Sequence, residues 1–184
     1  MSPPVLVTFA AGSQGIWRVE RIETVFGEGL PPADRLTTLE GHHRRPPAET
    51  VWTLRGVTSN QRYTIRAEAD ALAARQQELS RPQATRAALI PIRKTEAWWA
   101  LAQDERRAIV EERSRHIAVG LEYLPAVARR LHHSRELGEP FDFVTWFEYA
   151  PEHAGAFEDL VSRLRATEEW RYVDREVDVR LARG

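Results

Sequence analysis

Two residues thirteen positions apart, His116 and Arg129, are the side chains of this sequence best suited to chemistry. A neutral imidazole can ligate a metal, and a guanidinium, which is always protonated, can hold a small anion beside it. Each residue also has a structural explanation. His116 fits a core histidine bonded to a backbone carbonyl, and Arg129 fits a buried ion pair. Their types and spacing alone leave both explanations open.

The other histidines lack the spacing of a multi-histidine metal site. His132 and His133 are neighbours on a predicted strand, so their side chains point to opposite faces. His42 and His43 lie in a predicted loop, and His153 lies at a helix start. No HxH or HxxxH pair occurs, which argues against zinc and non-haem iron. A haem needs only one histidine, because the macrocycle supplies four nitrogens.

Composition excludes several classes of function. Of the 184 residues, 42% are hydrophobic and 29% are charged. The net charge of -1 gives no positive electrostatic field that would attract nucleic acid or an anionic membrane. The absence of cysteine excludes disulfides, thiolate haem ligation and iron–sulfur clusters. The apolar run from Val5 to Ala10 is too short for a signal peptide or a membrane span, so we expect a cytoplasmic protein.

Apolar periodicity predicts how these residues are positioned. It predicts strands at 5–10, 16–22, 51–57, 86–93, 127–133, 141–149 and 172–181, and helices at 63–79, 105–121 and 151–164. We expect the first two strands to form a hairpin across Gly12 and Gly15, and the proline-rich segment 31–47 to be a loop with at most a short helix.

The C-terminal half has the strand–helix–strand–strand–helix–strand order of a ferredoxin-like unit, and the N-terminal half fits a shortened version. The predicted fold is therefore α+β. Two ferredoxin-like units, at 1–83 and 84–184, curl their sheets into one barrel with the helices outside.

The position of four polar residues in or beside these elements does not by itself assign them a function. Gln76 falls on the apolar stripe of its predicted helix. Because Gln77 is adjacent and also polar, the pattern does not decide which of the two glutamines is exposed to solvent. Arg129 or its neighbour Arg130 must point with the apolar side chains of the strand. Lys94 is typical of a solvated strand end, and Glu169 of an exposed acid.

The segment 84–183 carries a family resemblance. It begins ATRAALIPIRKTEAWW, continues through RSRHIAVGLEYLPAVARRLHHS and ends ATEEWRYVDREVDVRLAR. This segment resembles the chlorite dismutase family of haem b proteins, in particular its short-chain, dimeric branch. A looser match through WTLRGVTSNQRYTIRAEA extends the resemblance over nearly the whole chain. It implies a dimeric α+β barrel, one haem b per chain and a homodimer.

The resemblance also implies a role for residues behind the haem. His116 matches the proximal ligand of the haem iron. Glu169 matches the acceptor of a hydrogen bond from its other ring nitrogen, and Lys94 matches the residue that holds the glutamate. Such partners fix the orientation and basicity of a ligand.

On the other face, Arg129 matches the distal arginine and Gln76 its distal neighbour. Asn60, Tyr63 and Trp98 match positions near the haem propionates. The implied substrate is chlorite or a similar small oxyanion, converted to chloride and dioxygen through a ferryl and hypochlorite intermediate. Arg129 would steer the anion in and retain hypochlorite.

Other functions remain open from the sequence. One alternative is a haem-binding protein or a peroxidase of the same superfamily with another physiological ligand. Coproheme decarboxylases lack the distal arginine, and dye-decolourising peroxidases have a distal aspartate for which this sequence offers no candidate. A ferredoxin-like dimerisation module without haem is the non-enzyme alternative.

Overall fold

Eight antiparallel strands form a closed barrel in a computed structural model, which describes residues 3–58 and 63–184. The order around the barrel is β1-β3-β2-β8-β5-β7-β6-β4. The strands are β1 (Leu6–Gly12), β2 (Trp17–Phe26), β3 (Arg35–Glu40), β4 (Thr50–Thr58), β5 (Arg86–Lys94), β6 (Val127–His133), β7 (Phe143–Tyr149) and β8 (Val173–Arg183). With the helices outside, this confirms the predicted α+β class.

Within the described residues, five α-helices connect or cover the strands. They are α1 (Arg66–Arg75), α2 (Glu96–Ala100), α3 (Gln103–Arg107), α4 (His116–Glu122) and α5 (Ala154–Arg165). A π-helical turn spans Ala108–Arg113, and 3₁₀ turns span Arg135–Leu137, Pro151–His153 and Glu168–Tyr172. In the part of the chain that the structure describes, no helix has the length and apolar character needed to cross a bilayer.

Both faces of the central strands are buried. In β5, Leu89 points into the barrel, where Phe9 and Trp146 also pack, whereas its neighbour Ile90 packs outside against Leu160 of α5. A strand covered on both faces is apolar at successive positions, which explains the uninterrupted run AALIPI in β5. The space between the outer face and the helices is where a buried site can form.

The predicted N-terminal hairpin is wrong. Strand β1 pairs with β3 and β4, and β2 pairs with β3 and β8, so β3 lies between the two strands that we expected to pair. This strand falls inside the segment predicted as a loop. Its sequence RLTTLE buries only Leu36, and its ladder to β1 consists of backbone hydrogen bonds that no apolar pattern reveals.

The helix predicted at 105–121 is interrupted before His116. The π-helical turn ends at Arg113, and Arg115 adopts a left-handed φ of 52°. Helix α4 then begins at His116, and the Glu111 carboxylate accepts from the backbone N–H groups of Ile117 at 2.8 Å and Ala118 at 3.3 Å. This carboxylate caps the new helix, so α4 starts at the candidate ligand.

Candidate functional site

A cavity of about 300 Å³ lies between the outer face of the sheet and helices α1, α4 and α5. Of the eight predicted site residues, the seven in the described part of the chain line this one cavity: Tyr63, Gln76, Lys94, Trp98, His116, Arg129 and Glu169. Asn60 lies outside the described residues. Most of the remaining lining is apolar, including Leu72, Ile90 and Phe147.

His116 is held from behind by a buried carboxylate. Its Nδ1 lies 2.6 Å from Oε2 of Glu169, and Oε1 of Glu169 accepts from Nζ of Lys94 at 2.9 Å. The backbone N–H of Glu169 donates to Oγ of Ser114 at 3.0 Å, which fixes the 3₁₀ turn that carries the glutamate. With Nδ1 donating to the carboxylate, Nε2 is the ring nitrogen left to act as a ligand.

His116 and Lys94 stabilise the negative charge of the buried Glu169 carboxylate. Burial raises the pKa of this carboxyl group, but the attraction and hydrogen bonds of His116 and Lys94 outweigh it and hold the pKa well below its usual range. Lys94 also lies over two indole rings, 4.3 Å from the centroid of Trp98 and 5.6 Å from that of Trp170. The imidazole of His116 therefore has a permanent anion behind it.

Arg129 enters the cavity from the opposite wall. It lies on the helix-facing side of β6, and burial lowers the pKa of its guanidinium, with no charged group in the described residues contributing to the shift. Its neighbour Arg130 donates instead to Oε1 of Glu40 at 2.7 Å and to Nε2 of His132 at 3.2 Å. Among the described cations that line the cavity, Arg129 is thus the one available to hold an anion.

Gln76 stabilises the strand that carries Arg129. Helix α1 ends at Arg75, before the predicted end at 79, so Gln76 lies just beyond the helix rather than on its apolar stripe. Its Nε2 donates to the backbone carbonyl of Arg129 at 2.8 Å. The amide therefore fixes the main chain of Arg129 while its side chain borders the cavity.

Tyr63 and Trp98 lie together at one end of the cavity, with ring centroids 6.0 Å apart and nearly perpendicular. Arg106 connects them, because its guanidinium donates to Oη of Tyr63 at 3.3 Å and to the carbonyl of Trp98 at 3.1 Å. The buried Nε1 of Trp98 has no acceptor among the described residues. An unsatisfied buried N–H costs about 1–3 kcal/mol, so this group is suited to a ligand's oxygen.

Sequence reasoning did not find three residues that shape the site. Glu111 caps α4 and Ser114 anchors Glu169, while Gly120 leaves room for the Arg129 guanidinium. A glycine inside a predicted helix, four residues after a candidate ligand, was the one signal available. Together the residues offer one metal-ligating nitrogen from α4 and one anion-binding cation from β6 in the same cavity.

Comparison with known proteins shows the family to which the chain is similar. A family model described as chlorite dismutase matches residues 34–183. The structure of a dimeric chlorite dismutase from Nitrobacter winogradskyi is 57% identical, covers 96% of this chain and 99% of its own, and superposes with a TM-score of 0.89.

More distant relatives agree. A chlorite dismutase from Candidatus Nitrospira defluvii, in complex with imidazole, has the same fold, with 23% identity, a TM-score of 0.71, and 98% and 91% of the two chains covered. The chlorite dismutase of Ideonella dechloratans is 35% identical over 84 residues, which are 46% of this chain but only 27% of that relative. This chain belongs to the chlorite dismutase family.

Proposed function

We propose that this protein is a haem b enzyme that converts chlorite to chloride and dioxygen, and that it works as a homodimer. One observation carries the proposal: His116, backed by Glu169, faces the same cavity as the uncompensated cation Arg129. Membership of the family supports the reaction, and the dimeric relative from Nitrobacter winogradskyi supports the assembly.

The residues of the cavity fit a haem. A single histidine supplies the ligand, and the described residues contain no cluster of three or more His, Cys, Asp or Glu side chains that could hold a bare metal ion. Apolar walls suit a flat macrocycle, and the unpartnered Nε1 of Trp98 suits a propionate oxygen. The haem iron, bound by His116, would supply the redox centre at which oxygen is removed from chlorite and dioxygen is formed.

The residues behind His116 orient the ligand. Glu169 accepts the Nδ1 proton, which keeps the Nε2 lone pair directed into the cavity. Lys94 keeps the carboxylate ionised and in place. A carboxylate in this position increases the basicity of an imidazole ligand and stabilises the more oxidised metal. Glu169 and Lys94 are positioning residues in this proposal.

Arg129 binds the substrate anion. The overall change, ClO₂⁻ to Cl⁻ and O₂, balances in atoms and charge without an external electron donor or a net proton. The fixed guanidinium of Arg129 therefore attracts the reacting chlorine species during the whole reaction, because that species remains an anion. We infer that Arg129 retains hypochlorite until its oxygen is used, and that Gln76 keeps the main chain of Arg129 in position.

The two halves of the barrel support the division into two ferredoxin-like units at 1–83 and 84–184, which we also propose. The C-terminal strands follow one another around the barrel as β8, β5, β7 and β6. This is the order that a split βαβ unit gives its four strands. The described residues of the N-terminal half contribute four strands and one helix, α1, which accords with a shortened unit.

The proposal is tested by adding haem to the purified protein and measuring oxygen with an electrode after addition of chlorite. Equal amounts of dioxygen and chloride are expected, and His116→Ala should abolish both haem uptake and oxygen release. His42→Ala replaces an exposed histidine and is the matched control. Haem uptake without oxygen release would overturn the enzymatic assignment and favour a haem-binding protein or peroxidase.

A further inference from the structure

Trp170, the residue after Glu169, also packs against the candidate ligand. Its indole lies beside the imidazole of His116, with ring centroids 6.3 Å apart and planes inclined by 27°, which is the range of offset-stacked aromatic pairs. Glu169 and Trp170 both belong to the 3₁₀ turn Glu168–Tyr172. One turn therefore gives His116 two contacts, a carboxylate at Nδ1 and an indole alongside the ring.

A second buried carboxylate holds the indole in place. Nε1 of Trp170 donates to Oε2 of Glu176 at 2.8 Å, and Glu176 is only 1% exposed. The other oxygen, Oε1, accepts from Nε of Arg165, the last residue of α5, at 2.8 Å. Arg165 also donates to Oδ2 of Asp178 at 2.9 Å, so it is fixed by two residues of β8. We call Trp170, Glu176 and Arg165 the indole support.

The indole support borders the cavity of the site. All three of its residues line the cavity, and the proposed function gives none of them a task. A buried ion pair is weak evidence for stability alone, because apolar residues of similar volume often replace such a pair without loss. What the pair of Glu176 and Arg165 does provide is a fixed acceptor for the indole N–H.

The hydrogen bond to Glu169 leaves one motion of the imidazole unrestricted. It fixes the position of Nδ1, but χ2 of a histidine has a broad energy minimum, so the ring can tilt while the bond persists. An indole alongside the ring opposes that tilt, provided that the indole itself cannot move. The hydrogen bond from Trp170 to Glu176 meets this condition.

We propose that Trp170 and Glu176 set the plane of the His116 imidazole. The proposal rests on the proposed haem-binding function. Glu169 determines which nitrogen binds the iron and how basic that nitrogen is, whereas the indole support determines the direction of the ring plane. Trp170 acts on His116 directly and Glu176 acts through Trp170, so both are positioning residues.

Electron paramagnetic resonance of the haem-loaded ferric protein with cyanide added tests this, because the g values of such a complex depend on the plane of the axial imidazole. Trp170→Phe keeps an aromatic ring but removes the N–H, and Glu176→Leu removes the acceptor. Each should shift or broaden the g values and speed the loss of haem to excess apomyoglobin about tenfold. Combining the two changes should have no larger effect than either alone, since both break one hydrogen bond.

Two control variants separate orientation from stability and from charge. Trp99→Phe removes another indole, whose Nε1 donates to the buried carboxylate of Asp142 at 3.2 Å, and should leave the g values unchanged. Glu176→Gln keeps an oxygen for the indole N–H and should retain the wild-type g values, although the negative charge is lost. Far-UV circular dichroism checks folding, and Trp170→Phe alone decides the outcome if Glu176→Leu does not fold.

Two results would overturn the proposal. Wild-type g values in both Trp170→Phe and Glu176→Leu would show that the indole support does not orient the ligand, whatever the variants lose in stability. Equal shifts in Glu176→Gln and Glu176→Leu would assign the effect to the charge of the carboxylate rather than to the hydrogen bond.

The proposed function and the role of the indole support fail in distinguishable ways. A wild-type protein that takes up no haem overturns both. A protein that binds haem and shows the expected shifts, but releases no oxygen from chlorite, loses the enzymatic assignment and keeps the indole support. Oxygen release with g values that no variant changes leaves the function standing and removes the indole support.

Discussion

Lys94 and Glu169 form an ion pair in which both side chains are almost fully buried, with 2% and 7% of their surfaces exposed. The next residue in the chain, Arg93, forms a pair with Asp174 that is about half exposed, at 46% and 38%. The contact distances are nearly equal, 2.9 Å and 2.8 Å. Two ion pairs from adjacent residues therefore differ chiefly in their exposure to water.

Removing Lys94 should destabilise the protein strongly. Lys94→Met leaves the Glu169 carboxylate buried without its ammonium partner, and losing one member of such a pair costs about 3–5 kcal/mol. Arg93→Ala is the matched control and should cost less than about 1 kcal/mol, because its pair is exposed to water. Urea unfolding gives both free energies. Similar losses for the two variants would contradict the assigned role of burial.

Neutralising Glu169 should weaken haem binding. Glu169→Gln keeps an oxygen near Nδ1 of His116 but removes the negative charge that strengthens the ligand. We expect haem affinity to fall about 10–100-fold and the reduction potential of the iron to rise. Glu168→Gln alters the neighbouring acid, which pairs with exposed Arg113, and should change neither quantity. An unaltered potential in Glu169→Gln would show that the carboxylate does not tune the ligand.

Replacing Arg129 with Ala should leave some turnover but make the enzyme less durable. Loss of the cation removes both anion attraction and retention of hypochlorite, and we expect kcat/KM to fall by about 10²-fold. Bleaching of the Soret band per turnover should rise, as should chlorination of an added trap. Arg130→Ala provides the charge-matched control, because Arg130 also borders the cavity but its guanidinium is paired with Glu40. A variant as durable as the wild type would mean that retention is not a task of Arg129.

His132 should make the fold sensitive to mild acid. Burial lowers the pKa of its imidazole to about 4, whereas in the unfolded chain it titrates near 6.5. Below pH 6.5 the unfolded chain therefore binds a proton that the native protein does not. Stability contributed by neutral His132 is fully present above pH 6.5 and falls by about 3 kcal/mol as the pH approaches 4.

The pH dependence is measured by urea unfolding of the wild type and His132→Gln between pH 7.5 and 4.5. The variant should lose less stability across this range, since its side chain takes up no proton. His43→Gln, at an exposed position, should follow the wild type. Parallel curves for His132→Gln and the wild type would refute the contribution of His132.

Local pattern predicted the residues at the two walls of the site but not their partners. His116 and Arg129 were found because their types are unusual beside apolar neighbours. Lys94 and Glu169, taken alone, were typical of solvent-exposed residues, and their burial depends on a contact between residues 75 positions apart. The resemblance to a family, rather than the local pattern, brought them together.

Strand β3 shows a second limit of the sequence. All six of its residues pair with β1. Four of its six side chains are only partly buried, however, so the sequence shows little alternation of apolar and polar residues. The break before His116 has a different cause. The Glu111 carboxylate replaces the helical hydrogen bonds there, and no proline or glycine marks the position in the sequence.

The carboxylate that orients His116 belongs to residue 169, fifty-three positions further along the chain. A ribosome that has just synthesised α4 has therefore made the ligand without its support, and strand β8, which closes the barrel between β5 and β2, is still to come. The orientation of the His116 ring is therefore a property of the folded barrel and not of α4 alone.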